Sequence, residues 1–580
     1  ERLQAAFLIR WLMESDSGEV ADISPEARAA LDGLDRLLEE VRSDGNSCLG
    51  RTCAWRTCCA VERARRRAEN AHIVVVNHAL LLADTASQVM PDYEHLIVDE
   101  AHNFEDVATD QFGAETSRWT LGALLRETLG DDARGGLLRT VSARLQRAAP
   151  AEVAHDVRRA LTECEKHARA VAGEIGLLGE AVADFVQTSQ PTRADGFTRA
   201  AVRITDDVRQ SERWSGVREA ASAVGRAASA LAGGIAQVAE GLAELWPNSV
   251  MDLEGLQREV EGLMARWQEQ VGVLTNVIAG LSPDEVCWIE CDQSKRGTVW
   301  ALRSAPICVG DALADRLYSR KKTVVFTSAT LTVDRRFDYF RQRVGLDSHA
   351  DRLVELRVPS PFDFARQLLL CIPTDMPLPS ERAYQEALWA SILGLARAAG
   401  GGTLVLFTAR TTMHRAYEEL QPRLEAEGLQ LLCQDISGSR SDLLDRLRRS
   451  DGTVLFGVKS FWEGVDVPGY ALRLVVIAKL PFSVPTDPLI EARREHLERR
   501  GVDSQNDYYI PQAIIGFRQG FGRLIRRRTD RGVVAVLDRR MLTRAYGRRF
   551  LESLDGYALL CRPLEACVAA AERWLANSDR

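Results

Sequence analysis

Five short apolar runs punctuate the second half of the chain: 368–372 (LLLCI), 403–407 (TLVLF), 453–457 (TVLFG), 474–478 (LVVIA) and 533–537 (VVAVL). Each is rich in β-branched or leucine residues, and helical stretches separate them. Runs this short cannot be surface helices, and runs this continuously apolar are not half-exposed strands. They read as strands buried on both faces of a parallel sheet, with crossover helices covering it. Gly400, Gly401 and Gly402 mark the end of one such helix before its strand.

The first half has a different texture. IVVV (73–76) and HLIV (95–98) also read as buried strands with functional loops at their carboxyl ends, and KKTVVFTSATL (321–331) is a third of the kind. Between them, from about 115 to 283, Ala, Leu, Glu and Arg dominate. Leu253, Leu256, Val260, Leu263, Trp267, Val271 and Leu274 recur at three- and four-residue steps, one apolar helix stripe that reads as core packing. A helical domain is therefore expected between strands of a first sheet.

The chemistry gathers at strand ends. VDEAH (98–102) follows HLI directly. Two adjacent carboxylates at a strand end are costly unless a cation is near. In a nucleotide hydrolase Asp99 would hold hydrated Mg²⁺, with His102 beside it, and Glu100 would orient and deprotonate the water that attacks the γ-phosphate. TSATL (327–331) follows another strand, and its hydroxyls can hydrogen-bond the acidic motif; the plain alternative is a strand-end turn. SFWEGVDVPG (460–469) brings Glu463 and Asp466, which can touch ribose or a basic partner, or simply sit in a turn. QGFGRLIR (519–526) has the form Q-x-x-G-R-x-x-R, with Gln519 and Gly522 leading to Arg523 and Arg526. Arginines three apart on a helix share a face and can grip a polyphosphate; an exposed basic helix is the bland alternative.

The chain has 580 residues, and its formal net charge of −8 argues against a wholly basic nucleic-acid coat. A local patch survives that argument: Arg518 to Arg549 contains eleven arginines and two acids, Asp530 and Asp538. No apolar run reaches the ~18 residues a membrane span needs, and AAFLIRWLM near the start is short and carries Arg10, so it is not read as a signal sequence. The expected setting is a reducing cytoplasm. There, CLGRTCAWRTCC (48–59) is not a disulfide staple. Its thiols suit an iron–sulfur cluster or zinc, although C-x₄-C is not the usual zinc-ribbon spacing.

The order of motifs resembles the DEAH-type superfamily-two helicases. Cys48, Cys53 and Cys59, ARRRAENAHIVVVNHALLLAD (64–84), SPFDF (360–364) and LPFSVPTDP (480–488) narrow the resemblance to the iron–sulfur helicases of the DinG/XPD type. The resemblance implies an α/β fold with two RecA-like parallel-sheet domains, an inserted iron–sulfur domain and an inserted helical, Arch-like domain. The corresponding division is 1–34 (remnant of the first RecA-like domain), 35–72 (cluster domain), 73–114 (first RecA-like domain), 115–299 (helical insert), 300–350 (first domain, continued) and 351–580 (second RecA-like domain). It implies an ATP-dependent helicase acting in DNA repair or replication, travelling 5′→3′ on single-stranded DNA, opening forked DNA and working as a monomer near the nucleoid. A [4Fe–4S] cluster would be held by Cys48, Cys53 and Cys59 with a fourth ligand, Cys58 being extra. Mg²⁺ would accompany ATP. Arg63, Arg66, Arg67 and Thr408 would meet the DNA, along with Arg51, Arg56 and Arg65.

The chain departs from that pattern twice. No cysteine precedes Cys48, and no G-x-x-x-x-G-K-[ST] occurs in the 580 residues. That loop cradles the β- and γ-phosphates. The expectation is an N-terminally truncated helicase, inactive as it stands. The competing expectation is a non-hydrolysing nucleic-acid-binding protein with a degenerate cleft.

Overall fold

The computed structural model describes the chain apart from residues 1, 16, 32, 42–47, 49–52, 54, 88, 132–133, 149–154, 190–198, 246–253, 295–296, 451, 463, 465–466, 468 and 577–580. It divides into two units. One comprises Glu1–Leu96 and Asp106–Thr323, the other Ile97–Glu105 and Val324–Arg580. The division passes through strands β1 (His95–Val98) and β8 (Thr323–Phe326), which pair as a two-stranded sheet.

In the first unit the stretch expected to be wholly helical carries sheet as well. β2 (Ala114–Ser117), β5 (Arg199–Ile204), β6 (Glu285–Ser294) and β7 (Gly297–Pro306) form an antiparallel sheet in the order β2-β7-β6-β5. A two-residue pair, β3 (Gly130–Asp131) and β4 (Arg134–Gly135), lies apart from it. The sheet packs on the long helices His155–Ser189 and Glu254–Ala279, and a third, Glu212–Leu245, packs on those two. Cys287, Ile289 and Cys291 alternate inward on β6, as do Trp300 and Leu302 on β7. Leu256, Val260, Leu263, Trp267 and Leu274 are buried and Val271 half-buried, so the helical stripe is core; Leu253 lies outside the described residues.

IVVV is not a strand. Ile73 is 81% and Val75 90% exposed, and the run leads into the helix His78–Ser87. β propensity alone does not make a strand; the backbone needs a neighbour to hydrogen-bond, and none pairs with this run among the described residues.

The second unit holds the parallel sheet the apolar runs foretell. Its strands are β9 (Leu368–Pro373), β10 (Thr403–Leu406), β11 (Gln430–Cys433), β12 (Thr453–Gly457), β13 (Leu474–Ile477), β14 (Gly532–Val536) and β15 (Ala558–Arg562). Every pairing is parallel, in the order β11-β12-β10-β13-β14-β9-β15. Alternate residues feed separate cores. Leu368, Leu370, Ile372, Leu404 and Leu406 face one layer, while Leu369, Cys371 and Val405 face the other. Each such side chain contributes roughly 1.5–3 kcal/mol by leaving water. The helix Tyr384–Ala399 ends where Gly400 turns left-handed at φ 63°, with Gly401 and Gly402 following at 100° and 54°. β11 and β15 are additions to the strands expected from sequence. No helix among the described residues is long and apolar enough to cross a membrane.

Candidate functional site

The acidic motif and the SAT motif lie side by side because their strands do. Thr327 N donates to Val98 O at 2.9 Å, and Ala101 N donates to Thr327 O at 3.1 Å. The chain then turns sharply. Glu100 stands at φ 48°, ψ 41°, a left-handed conformation that costs a non-glycine residue about 1–3 kcal/mol and persists only where the surroundings over-determine it. Asp99 and Glu100 remain exposed, and Asp99 Oδ1 accepts the Glu100 amide at 2.9 Å. Two hard carboxylates presented at a strand end form a donor set that fits Mg²⁺.

His102 is the hub, with its side chain only 4% exposed. Its Nδ1 lies 2.9 Å from Ser328 Oγ, and its Nε2 lies 3.1 Å from Gln519 Nε2. The roles of these atoms follow from Arg523, which can only donate. Arg523 Nη2 donates to Gln519 Oε1 at 2.9 Å, and Nε donates to Gln519 O, also at 2.9 Å. The carbonyl end of the amide therefore faces Arg523. Its NH₂ end serves His102 and Thr330 Oγ1. With Gln519 donating, His102 Nε2 accepts, so the imidazole is neutral and carries its proton on Nδ1. That proton points at Ser328, whose hydroxyl in turn donates to Glu100 Oε2 at 3.3 Å. Thr330 N completes the set, donating to Ser328 Oγ at 3.2 Å.

One directed chain of hydrogen bonds thus joins Arg523, Gln519, His102, Ser328 and Glu100. The helix Ile510–Phe521 carries the Gln519 end. Gly520 is required there, since a Cβ would come within 2.7 Å of the Trp462 ring. Gly522 follows at the helix end, where a Cβ would meet Arg518 O at 3.2 Å. Arg526 is half-buried, and Asp530 Oδ2 caps its amide at 2.9 Å and that of Arg527 at 2.7 Å. Arg518, a residue the motif reading passed over, clips the same helix to the SAT loop. Its Nη1 donates to Thr332 O at 2.7 Å and its Nη2 to Ala329 O at 3.1 Å. Burial against these carbonyls pulls its pKa down. Its place directly before Gln519 was the available signal.

The basic run from Arg518 to Arg549 divides on inspection. Arg518, Arg523, Arg540, Arg548 and Arg549 have internal partners, and Arg531 lies over the Trp574 ring. Arg527, Arg528, Arg539 and Arg544 face solvent. Thr408 is exposed just past the end of β10. Glu463 and Asp466 lie outside the described residues.

The cysteine stretch belongs to the other unit. Cys48 and Cys58 are exposed, Cys53 and Cys59 half-buried, and none of the four is in a disulfide. Cys58 Sγ donates to Trp55 O at 3.2 Å, and Cys59 precedes the helix Ala60–Glu69 that carries Arg63, Arg66 and Arg67. Arg63 is half-buried there, while Arg66 and Arg67 are exposed. Glu62 pairs with Arg56 and Arg66, and the Arg56 hydrogen bond holds its carboxyl below the usual range. Soft thiolates suit an iron–sulfur cluster chemically. Among the described residues, however, no three metal-ligating side chains are gathered into a group that would hold one.

Comparison with known proteins agrees with this geometry. A DEAD_2 family model matches residues 43–121, and a helicase C-terminal domain model matches residues 392–557. The "3'-5' exonuclease DinG" of Bacillus subtilis is 30% identical over 563 residues, 95% of this chain, which spans 58% of that relative's length. The "ATP-dependent DNA helicase YoaA" of Escherichia coli is 29% identical over 92% of this chain and 74% of its own length. Among solved structures, "XPD_Helicase" superposes over 93% of this chain and 79% of that one with a TM-score of 0.49 and 14% identity, a level that speaks to neither fold nor function. The "ATP-dependent helicase DinG" of Mycobacterium tuberculosis is 33% identical over 584 residues, covering 99% of this chain and 76% of its own length. With that much of both sequences in register, and with the acidic, SAT and arginine motifs joined as described, the chain belongs to the DinG family of helicases.

Proposed function

We propose that the protein is an ATP-dependent DNA helicase that moves 5′→3′ along single-stranded DNA and opens forked duplexes during repair or replication. The observation that carries this reading is the hydrogen-bonded chain from Arg523 to Glu100. It ties a guanidinium suited to a transferring phosphoryl group to a carboxylate suited to its attacking water. Glu100 orients that water and takes its proton. Ser328 and His102 fix the carboxylate's direction. Arg523 and Arg526 neutralise charge as it develops on the γ-phosphate. Asp99 would hold Mg²⁺, which when bound offsets the charge of the phosphates. Single-stranded DNA would be gripped through its phosphates by Arg63, Arg66, Arg67 and Thr408.

In the same reading Cys48, Cys53 and Cys59, with a further ligand, would hold a [4Fe–4S] cluster, which when bound would supply a cross-link fixing their segment. No step of hydrolysis runs through it. Iron and acid-labile sulfide analysis of anaerobically purified intact protein decides the matter, and zinc in place of iron ends it.

The test of function is ATP turnover by the intact protein with and without single-stranded DNA. DNA should stimulate turnover, and Glu100→Gln should lower kcat by about 10²–10⁴-fold, the usual worth of a positioned general base. Turnover unchanged in Glu100→Gln would overturn the role given to Glu100. DNA binding without any ATP turnover would favour a non-hydrolysing binder, the reading suggested by the missing G-x-x-x-x-G-K-[ST].

A further inference from the structure

Three residues past His102, at the start of the helix Phe104–Phe112, stands a carboxylate that the hydrolytic reading does not use. Glu105 accepts Arg343 Nε on both of its oxygens at 3.0 Å, Arg343 Nη2 on Oε1, and Arg493 Nη1 on Oε1 at 2.9 Å. The three side chains are 11%, 8% and 1% exposed. The Arg343 guanidinium also lies 4.6 Å over the ring of Tyr508, itself buried. Burial pushes the Glu105 carboxyl up, but the two guanidiniums outweigh it and hold the group below the usual carboxylate range. Both arginines are pushed the other way, above their ordinary value, by the same carboxylate. All three groups stay ionised, two positive and one negative, in a largely buried place.

The partners come from three separate segments. Glu105 follows the acidic loop, Arg343 ends the helix Asp338–Arg343 after the SAT motif, and Arg493 lies in the helix Pro488–Arg499. A buried carboxylate shared by two guanidiniums cannot drift, because losing either contact leaves a charge unpaired away from water. Phe104 reinforces the point, its ring centroid 5.7 Å from that of Phe326 on β8. Upstream stands the feature that needs holding, the left-handed backbone at Glu100.

We propose that Glu105 is a positioning residue: through Arg343 and Arg493 it clamps the acidic loop, keeping Glu100 in its left-handed turn and His102 seated between Ser328 and Gln519. The helix Pro488–Arg499, which carries Arg493, is thereby a control point for the candidate catalytic carboxylate.

Glu105→Gln strands two buried guanidiniums and can prevent folding, so the informative variants are at Arg493. Arg493→Met leaves a one-to-one Arg343–Glu105 pair and a similar side-chain volume. In the intact protein, native-state hydrogen exchange at the Ala101 and Thr327 amides should quicken at least tenfold, with the β10 and β13 amides unchanged. Arg493→Lys, which keeps a charge within reach of Oε1, should return exchange to within threefold of the parent. The kinetic arm rests on the hydrolytic reading: kcat for ATP should fall about tenfold in Arg493→Met with KM unchanged. Unaltered exchange at Ala101 and Thr327, or a uniform rise across the sheet, would show the cluster to be mere packing and overturn the proposal. If the parent turns over no ATP, the functional reading falls, and the exchange measurements still decide the clamp.

Discussion

The chain of side chains from Arg523 to Glu100 and the cysteine stretch 48–59 are equally conspicuous as sequence, yet they are held in different ways. In the first, each link joins a donor to an acceptor supplied by the protein: guanidinium to amide oxygen, amide NH₂ to imidazole, imidazole N–H to hydroxyl, hydroxyl to carboxylate. Such a set assembles itself on folding, because each group satisfies its neighbour. The cysteines offer one kind of atom. Thiols are weak mutual partners and thiolates repel, so gathering them would take a cation or cluster with affinity for sulfur. Motifs of complementary groups are therefore prebuilt, whereas motifs of identical ligands are assembled by what they bind.

The largest effect that comparison predicts falls on Arg523. Arg523→Ala removes the group that orients the Gln519 amide and, in the proposed mechanism, the charge offered to the γ-phosphate. ATP turnover should fall by about 10³–10⁵-fold, the range for a lost arginine finger. The two buried bonds from Arg523 to Gln519 are lost, at a cost of about 1–3 kcal/mol, so the melting temperature should fall by several degrees while the fold persists. Weaker ATP binding with kcat preserved would place Arg523 outside the reacting centre.

Next comes a substitution meant to separate the two regions. Cys53→Ser should lower bound iron by about tenfold or more, because a cubane needs its protein thiolates. DNA-stimulated ATP turnover should stay within about threefold, since no cysteine of the stretch takes part in the bonds from Arg523 to Glu100. Parallel loss of iron and turnover would mean that the cysteine stretch supports the hydrolytic site after all, and that the contrast between them is false.

How much of this could be read beforehand depends on what each element needs. The runs at β9, β10, β12, β13 and β14 were legible because a strand buried on both faces must be apolar throughout. IVVV has the same composition and is exposed coil, because composition supplies no hydrogen-bonding neighbour. The β6–β7 hairpin begins just after the helical texture of 115–283 ends and was not read as strands, although the inward alternation of Cys287, Ile289 and Cys291 was there to find. At the site, the hydroxyls of SAT were expected to touch the acidic motif, and Ser328 does. The bond from Gln519 to His102, and the clamp of Glu105 by Arg343 and Arg493, join residues 417, 238 and 388 positions apart. No local pattern encodes such pairings; only the packed sheet and its helices bring them together.

The smallest effect is the sharpest probe of the directed hydrogen bonds. Ser328→Ala deletes the one hydroxyl between His102 and Glu100. A buried imidazole N–H left without an acceptor costs about 1–3 kcal/mol, which would be severe if nothing else were near. But His102 Nδ1 already lies 3.4 Å from Glu100 Oε2. A small rotation lets the imidazole donate to the carboxylate directly, so most of that cost is recovered. The expected result is a fall in kcat of about tenfold, one bond's worth at the transition state, with KM for ATP unchanged. A fall as deep as that of Glu100→Gln would make the serine a participant in the proton's path rather than a bracket for the carboxylate. No fall at all would mean that Glu100 is aimed by its backbone alone, leaving Glu105 and its two arginines as the only device that sets it.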